Sequence, residues 1–229
     1  INLAAFAGHS SIRTFVMGED AASREATDTE IEQMHQLVLE ALDAGAIGFA
    51  TSTSPAHNGH GGRPMPSRLA SDAEMQRLVG ALGERSKGLF MLTKGGHTKI
   101  DILEELASAS GRPVVVAALL HNSTNPEAVF ADLDAIEAAC QRGHKMAGAI
   151  SPCPLTNDFT LHSPYPVEGL KAWQPALGLE GDALKRCLAD PVFRQAVRDE
   201  VAAPTVFRLF NGEWEKVAVV QVALPENQS

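Results

Sequence analysis

Three cysteines, Cys140, Cys153 and Cys187, are all that the sequence contains. They are too few and too scattered for a disulfide framework and fit a reducing compartment, with the cytoplasm as the default expectation. Long apolar runs are missing too: none approaches the roughly 20 residues that a membrane span requires, and Ile1 to Gly8 shows neither the basic flank nor the cleavage site of a signal peptide. Positive charge is scarce. With 19 Lys and Arg against 28 Asp and Glu, the formal net charge is -9, and such a surface offers no footprint for phosphate backbones or anionic lipid. Nucleic acid and membrane are therefore not expected as partners. Neither a GxGxxG fingerprint nor a P-loop is found, so a nucleotide reading has no support.

What is present is a chain of 229 residues, 45% of them hydrophobic, enough for a globular domain with a continuous core. It opens at Ile1 straight into an apolar, strand-like run with no polar leader. The expectation is a section of a longer protein.

Short apolar strands alternate with amphipathic helices. Leu3–Ala7 reads as a strand; Thr27 and Glu30 form a capping-box pattern ahead of a helix carried by Ile31, Met34, Leu37, Val38, Ala41 and Leu42, which stops at Gly45. Ile47–Thr51 is the second strand, followed by a long loop, Ser52–Leu69, rich in Gly, Pro, His and Ser. Ser71 and Glu74 repeat the capping box before a helix with Met75, Leu78, Val79 and Leu82 inward. Leu89–Thr93 is the third strand, Thr98–Ala109 a helix, and Val114–Leu120 the fourth strand. Asn125 and Pro126 have the residue types of a helix start, and that helix should close at Gly143 before a fifth strand, Met146–Ser151.

Strands that are apolar throughout, each followed by a helix, predict a parallel sheet covered on its faces. The choices are a closed barrel or an open doubly wound sheet. After Ser151 the pattern changes: Pro152, Pro154, Pro164 and Pro166 hold an irregular stretch, and short helices follow at 167–173, 181–189 and 191–201. Thr205–Phe210 and Val217–Val222 read as a short hairpin about Asn211 and Gly212, with Trp173 and Trp214 as packing anchors. Five strand and helix units are fewer than the eight of a full barrel. The predicted architecture is α/β, part of a (β/α)8 TIM-type barrel over residues 1–160, with a helical extension and a hairpin over 161–229.

In either parallel architecture the site lies at the carboxyl ends of the strands. Those ends carry Gly8 and His9, then Thr51, Ser52 and Thr53, then Lys94 to His97, His121 with Asn122, and Ser151 to Cys153. The same polar residues would also serve any strand end that meets solvent. His57 and His60 are spaced to offer two imidazoles to one metal, although a loop of Gly, Asn and His reads more simply as an exposed connector. The turn Gly95–Thr98 before a helix could accept an anion on its N–H groups, or could be only a capped turn. Cys153, between two prolines and without a base close in sequence, reads as a structural or incidental thiol.

Several of these segments resemble the N-acyl-D-amino-acid deacylases (D-aminoacylases) of the amidohydrolase superfamily. NLAAFAGHSSIRTFVM, Asn2 to Met17, is similar to the family's third-strand segment, and EALDAGAIGFATST, Glu40 to Thr53, to its helix and fourth strand. FMLTKG, Phe90 to Gly95, and VVVAALLHN, Val114 to Asn122, fall where the fifth and sixth strands would come. The resemblance spans roughly the first two thirds of the chain. It implies hydrolysis of a non-peptide amide bond, as in N-acyl-D-amino acids, by zinc held at strand ends, the metal lowering the pKa of water and polarising the carbonyl.

The family's His-x-His pair and its last-strand aspartate have no counterpart here, so the resemblance implies an incomplete catalytic domain. Lys94 stands where the family carries a metal-binding histidine; at the next such place stands Ala117 or Ala118, with His121 shortly after. Lys94 could be a carbamylated metal ligand, an oxyanion stabiliser or a plain surface charge. The expected site has Lys94 and His9 as catalytic residues, His121 and Lys94 toward zinc, and Ser52, Thr53, His97 and Asn122 toward a small-molecule substrate. The other reading is a barrel relative depleted of its ligands that binds or scaffolds, and a third is an open-sheet enzyme acting on an anionic metabolite at Gly95–Thr98. Exposed sheet edges make a homo-oligomer possible.

Overall fold

The computed structural model describes residues 1–59, 62–95, 98–151, 156–204 and 208–222. Its chain divides into two compact units, Ile1–Asp158 and a second that begins at Phe159. In the first, β1 (Ala7–Gly8) runs directly into α1 (His9–Met17), and a 3₁₀ segment (Gly18–Ala22) leads to α2 (Asp28–Asp43). Then come β2 (Gly48–Ser52), a 3₁₀ segment (Pro66–Leu69), α3 (Asp72–Glu84), β3 (Leu89–Thr93), α4 (Ile100–Ser110), β4 (Val114–Ala117), α5 (Ala128–Gln141) and β5 (Met146–Ala149).

The five strands form one sheet in the order β1-β2-β3-β4-β5, every neighbouring pair parallel. A doubly wound sheet reverses its strand order to place helices on both faces. Here the order never reverses, and right-handed crossovers between successive neighbours put the helices on one face; accordingly α2 packs on α3, α3 on α4 and α4 on α5. This is the arrangement of consecutive units in a TIM-type (β/α) barrel.

Phe49, Phe90, Val114 and Met146 lie in register across β2 to β5 and are all buried. They form one core with Met34, Val38 and Leu42 of α2, Leu78 and Leu82 of α3, and Leu103 of α4. The alternate residues Ala50, Met91 and Val115 are only half-buried and Ala147 is exposed. The apolar strands predicted a sheet covered on both sides; among the described residues only the helix-facing row is sealed. Small side chains fill most of the other row, and they are suited to a concave face.

Gly48 lets β2 approach β3: a Cβ there would meet Leu89 O at 1.9 Å. Thr27 and Glu30 make the full reciprocal capping box. Ser71 and Glu74 make only half of theirs. Ser71 Oγ accepts from the Glu74 N–H, but the Glu74 carboxylate turns inward to His9 and Arg13. α5 starts at Ala128, later than Asn125 and Pro126 suggest, because those residues form a preceding turn in which Ala128 N–H donates to Asn125 O.

The second unit holds a 3₁₀ segment (Lys171–Ala176), α6 (Gly181–Ala189) and α7 (Pro191–Ala202) around Leu170, Trp173, Leu184 and Phe193. Of the predicted hairpin, only the arm Val217–Val222 lies wholly within the described residues. Val217–Val222 pairs with no strand among the described residues, and Val219 and Val220 are exposed; a 3₁₀ turn at Trp214–Lys216 takes the chain away from strand geometry. Thr205–Phe207, most of the other expected arm, lies outside the described residues. Among those described, no helix is long and apolar enough to cross a membrane.

Candidate functional site

The carboxyl ends of β2, β3 and β4 carry the polar groups that the parallel topology singles out, and each end is organised differently. At β2, Ser52 is buried and its Oγ lies 2.7 Å from His57 Nδ1. The same Oγ accepts from the Ser54 N–H at 3.2 Å, which leaves its proton and its second lone pair for the contact with His57. Burial, aided by the Arg68 guanidinium nearby, holds the His57 pKa below 6.5. A neutral histidine in contact with a hydroxyl is chemically capable of accepting a proton. Arg68 braces the loop by donating to His57 O and Asn58 Oδ1, and Ser67 Oγ donates to Ser52 O at 2.9 Å.

Thr53 ties the ends of β2 and β3 together. Its N–H donates to Thr93 O at 3.0 Å, and its Oγ1 accepts from the Gly95 N–H at 2.9 Å and meets Thr98 Oγ1 at 2.7 Å. Gly95 is required there, since a Cβ would meet Thr53 O at 2.2 Å.

Lys94 continues the alternation of Phe90 and Leu92 toward the helix layer, and its Nζ reaches Asp132 Oδ2 of α5 at 2.9 Å. Both side chains are about four-fifths buried, at 22% and 20% exposure. His121 is exposed, and Asn122 is half-buried with its Oδ1 accepting from the Thr124 N–H at 3.0 Å in a local turn. His97, Gly96, His60 and Cys153 lie outside the described residues.

His9 is not at an open strand end. It is 1% exposed, with Nε2 2.7 Å from Glu74 Oε1 and Nδ1 2.7 Å from Thr51 Oγ1, and its ring tilts against Phe49. Arg13, wholly buried, donates to Glu74 Oε2 and to Arg24 O. Burial, the largest influence, holds His9 below its ordinary pKa despite the pull of Glu74. Burial alone would raise Glu74, but the hydrogen bonds from His9 and Arg13 outweigh it and hold the carboxyl below 4.5. The set is therefore neutral His9 donating from Nε2 to Glu74⁻, which also pairs with Arg13⁺. With both ring nitrogens satisfied and no solvent access, His9 anchors β2 to α1 and α3 and is not exposed at the strand ends, where a catalytic residue was expected.

The expected catalytic and metal residues are thus not brought together. Lys94 is engaged by Asp132, His9 is sealed behind the sheet and His121 faces solvent. Sequence reasoning passed over His57 as a connector and saw Glu74 only as a cap. The signal that could have found the dyad was the position of His57 five residues beyond Ser52 in the loop that follows β2. No local pattern pointed to Glu74, whose partner is 65 residues away.

Zinc fits these residues poorly. An ammonium paired with a carboxylate has no lone pair for a metal, and among the described residues no three His, Cys, Asp or Glu side chains converge.

No family model matches the chain. Uncharacterized proteins of Mycobacterium tuberculosis and Mycobacterium bovis are 31% identical over 93 residues, 38% of this chain and 15% of theirs. The chain thus spans about 15% of the length of the curated relatives it matches. The N-acyl-D-glutamate deacylase of Bordetella bronchiseptica, solved with zinc and a phosphonate mimic of the tetrahedral intermediate, is 25% identical with a TM-score of 0.52 over 67% of this chain and 31% of its own. A D-aminoacylase described as defining a subset of amidohydrolases is 27% identical, TM-score 0.53, over 65% of this chain and 30% of its own. A further D-aminoacylase structure, described by its binuclear metal centre, gives 26% and 0.50. The structural neighbours are thus metal-dependent amidohydrolases.

Proposed function

We propose that this chain is a section of the catalytic barrel of a metal-dependent amidohydrolase that cleaves non-peptide C–N bonds, N-acyl-D-amino acids being the substrate class. The observation that carries this reading is the unreversed order of five parallel strands, matched by D-aminoacylases at 25–27% identity. That order makes the carboxyl ends of β2, β3 and β4 neighbours on one rim. On it, Ser52 and His57 are the pair equipped to handle a proton, and His121 is open to a ligand. Thr53 fixes the rim, while His9 and Lys94 act by positioning, His9 through Thr51 and Lys94 through Asp132. No step is assigned to zinc on this chain's residues, because the donors described do not assemble a site.

The Lys94–Asp132 pair favours a second reading, a barrel relative that has given up metal chemistry and binds its ligand without turnover. Protein carrying this chain in its full reading frame separates the two. Stoichiometric zinc together with hydrolysis of N-acetyl-D-glutamate or N-acetyl-D-leucine in preference to the L-enantiomers supports the hydrolase. Absence of both after zinc reconstitution supports the binding protein and overturns the first reading.

A further inference from the structure

The second unit contains a cavity of about 600 Å³ whose lining residues all belong to that unit. Its floor is apolar. Phe193, Val197 and Val201, at helical spacing on α7, face Leu188 and Trp173 there, with Trp214 along the wall. Beside that stripe, Arg194 and Arg198 also line the cavity one turn apart on α7. Like charges at that spacing repel, so a helix carrying them gains from an anion between them.

The carboxylates close to α7 do not supply that anion. Asp190 caps the helix at the Val192 N–H, Asp199 accepts from Gln195 Nε2 at 2.7 Å, and Glu200 holds the backbone N–H groups of Lys171 and Ala172. Among the described residues no ion pair or hydrogen bond engages either guanidinium. Two unpaired arginines side by side are conspicuous in a chain of net charge -9.

An independent observation lies in the same wall. Trp173 is 7% exposed, and its indole N–H is buried without an acceptor; Asn211 Oδ1, also of the lining, is buried without a donor. Buried polar atoms normally find partners, and each one left alone is a standing cost that a ligand can remove. The cavity therefore combines an apolar floor, two cations, one unmet donor and one unmet acceptor.

We infer that this cavity binds a small amphipathic carboxylate, an apolar chain whose head carries a hydroxyl or N–H beside the carboxylate. The tail covers Phe193, Val197 and Leu188, and the carboxylate bridges Arg194 and Arg198 in charge-assisted hydrogen bonds. The head-group donor meets Asn211 Oδ1. This site lies wholly within the second unit and does not depend on the function proposed above.

Both tryptophans of the chain, Trp173 and Trp214, line the cavity, so intrinsic fluorescence reports on it alone. Titrating the whole chain with 2-hydroxyoctanoate is expected to give a saturable change, with octane-1,2-diol, in which a neutral hydroxymethyl group replaces the carboxylate, at least about tenfold weaker. Arg194→Gln with Arg198→Gln should weaken 2-hydroxyoctanoate by about tenfold or more. Arg186→Gln, on the exposed surface of α6 outside the cavity, should leave it unchanged. Both arginines of α7 are exposed, so far-UV circular dichroism should show their variants folded. No saturable response, equal binding of the diol, or equal weakening by Arg186→Gln overturns the proposal.

Discussion

Glu74 on α3 and His9 at the start of α1 meet at 2.7 Å with both side chains fully excluded from solvent. Arg13, one turn beyond His9, closes on the other carboxylate oxygen. Three ionisable groups from two helices thus stand behind β2, linked to it through Thr51. A buried pair of this kind adds little compared with an apolar filling, but removing one partner strands the other's charge. Glu74→Gln is expected to cost about 3–5 kcal/mol, read as a lower urea midpoint. Replacing Arg13 and Glu74 together by Met and Leu should cost less than the sum of the single changes.

Acid should loosen the first unit in two stages. The folded state binds the His9 proton less readily than the unfolded chain, since burial depresses its pKa from 6.5. Stability from the neutral ring is complete above that value and is lost as pH falls from it toward the folded pKa. His57 is depressed as well and contributes with the same sign. Glu74 is depressed from 4.5, so its contribution is present above that value and lost as pH falls through the folded pKa. Urea midpoints should therefore drop between about pH 7 and about pH 5 and again in stronger acid, and His9→Gln should shrink the first drop. A flat profile to about pH 5 would contradict the assignment.

Lys94 and Asp132 should show measurable coupling. Their pairing is largely shielded, so a double-mutant cycle of Lys94→Ala and Asp132→Ala is expected to return about 1 kcal/mol. Coupling near zero would mean that the ammonium does not rest on Asp132.

Gly48 should tolerate no side chain. Gly48→Ala places a methyl group 1.9 Å from Leu89 O, and relief requires β2 and β3 to part. A loss of about 3 kcal/mol or more is expected in thermal or urea unfolding. Gly80, with open space about its Cβ direction on α3, is the control: Gly80→Ala should stabilise by about 0.5–1 kcal/mol.

The strand and helix alternation could be read from the chain because its signals are local. Thr27 and Glu30 announce α2 within four residues, and the unbroken apolar run Leu89–Leu92 marks β3. Val217–Val222 has strand composition but finds no partner strand among the described residues, because composition alone does not pair a strand. The site was legible as a rim of strand ends and not as a constellation. The alternation of elements places Ser52 at a strand end but does not connect His57 to it, because the loop's course over the rim is set by Ser67 and Arg68 further along.

The sequence by itself determined the order of elements and the parallel, helix-covered sheet, since periodicity, caps and breakers act over a few residues. Only the tertiary structure decided what each polar strand-end residue does. His9 looks inward because Glu74 and Thr51, 65 and 42 residues away, hold its two nitrogens, and Lys94 is claimed by Asp132 of α5. A titratable side chain is assigned its role by the charges and donors that folding brings to it, and no run of neighbouring letters carries that information.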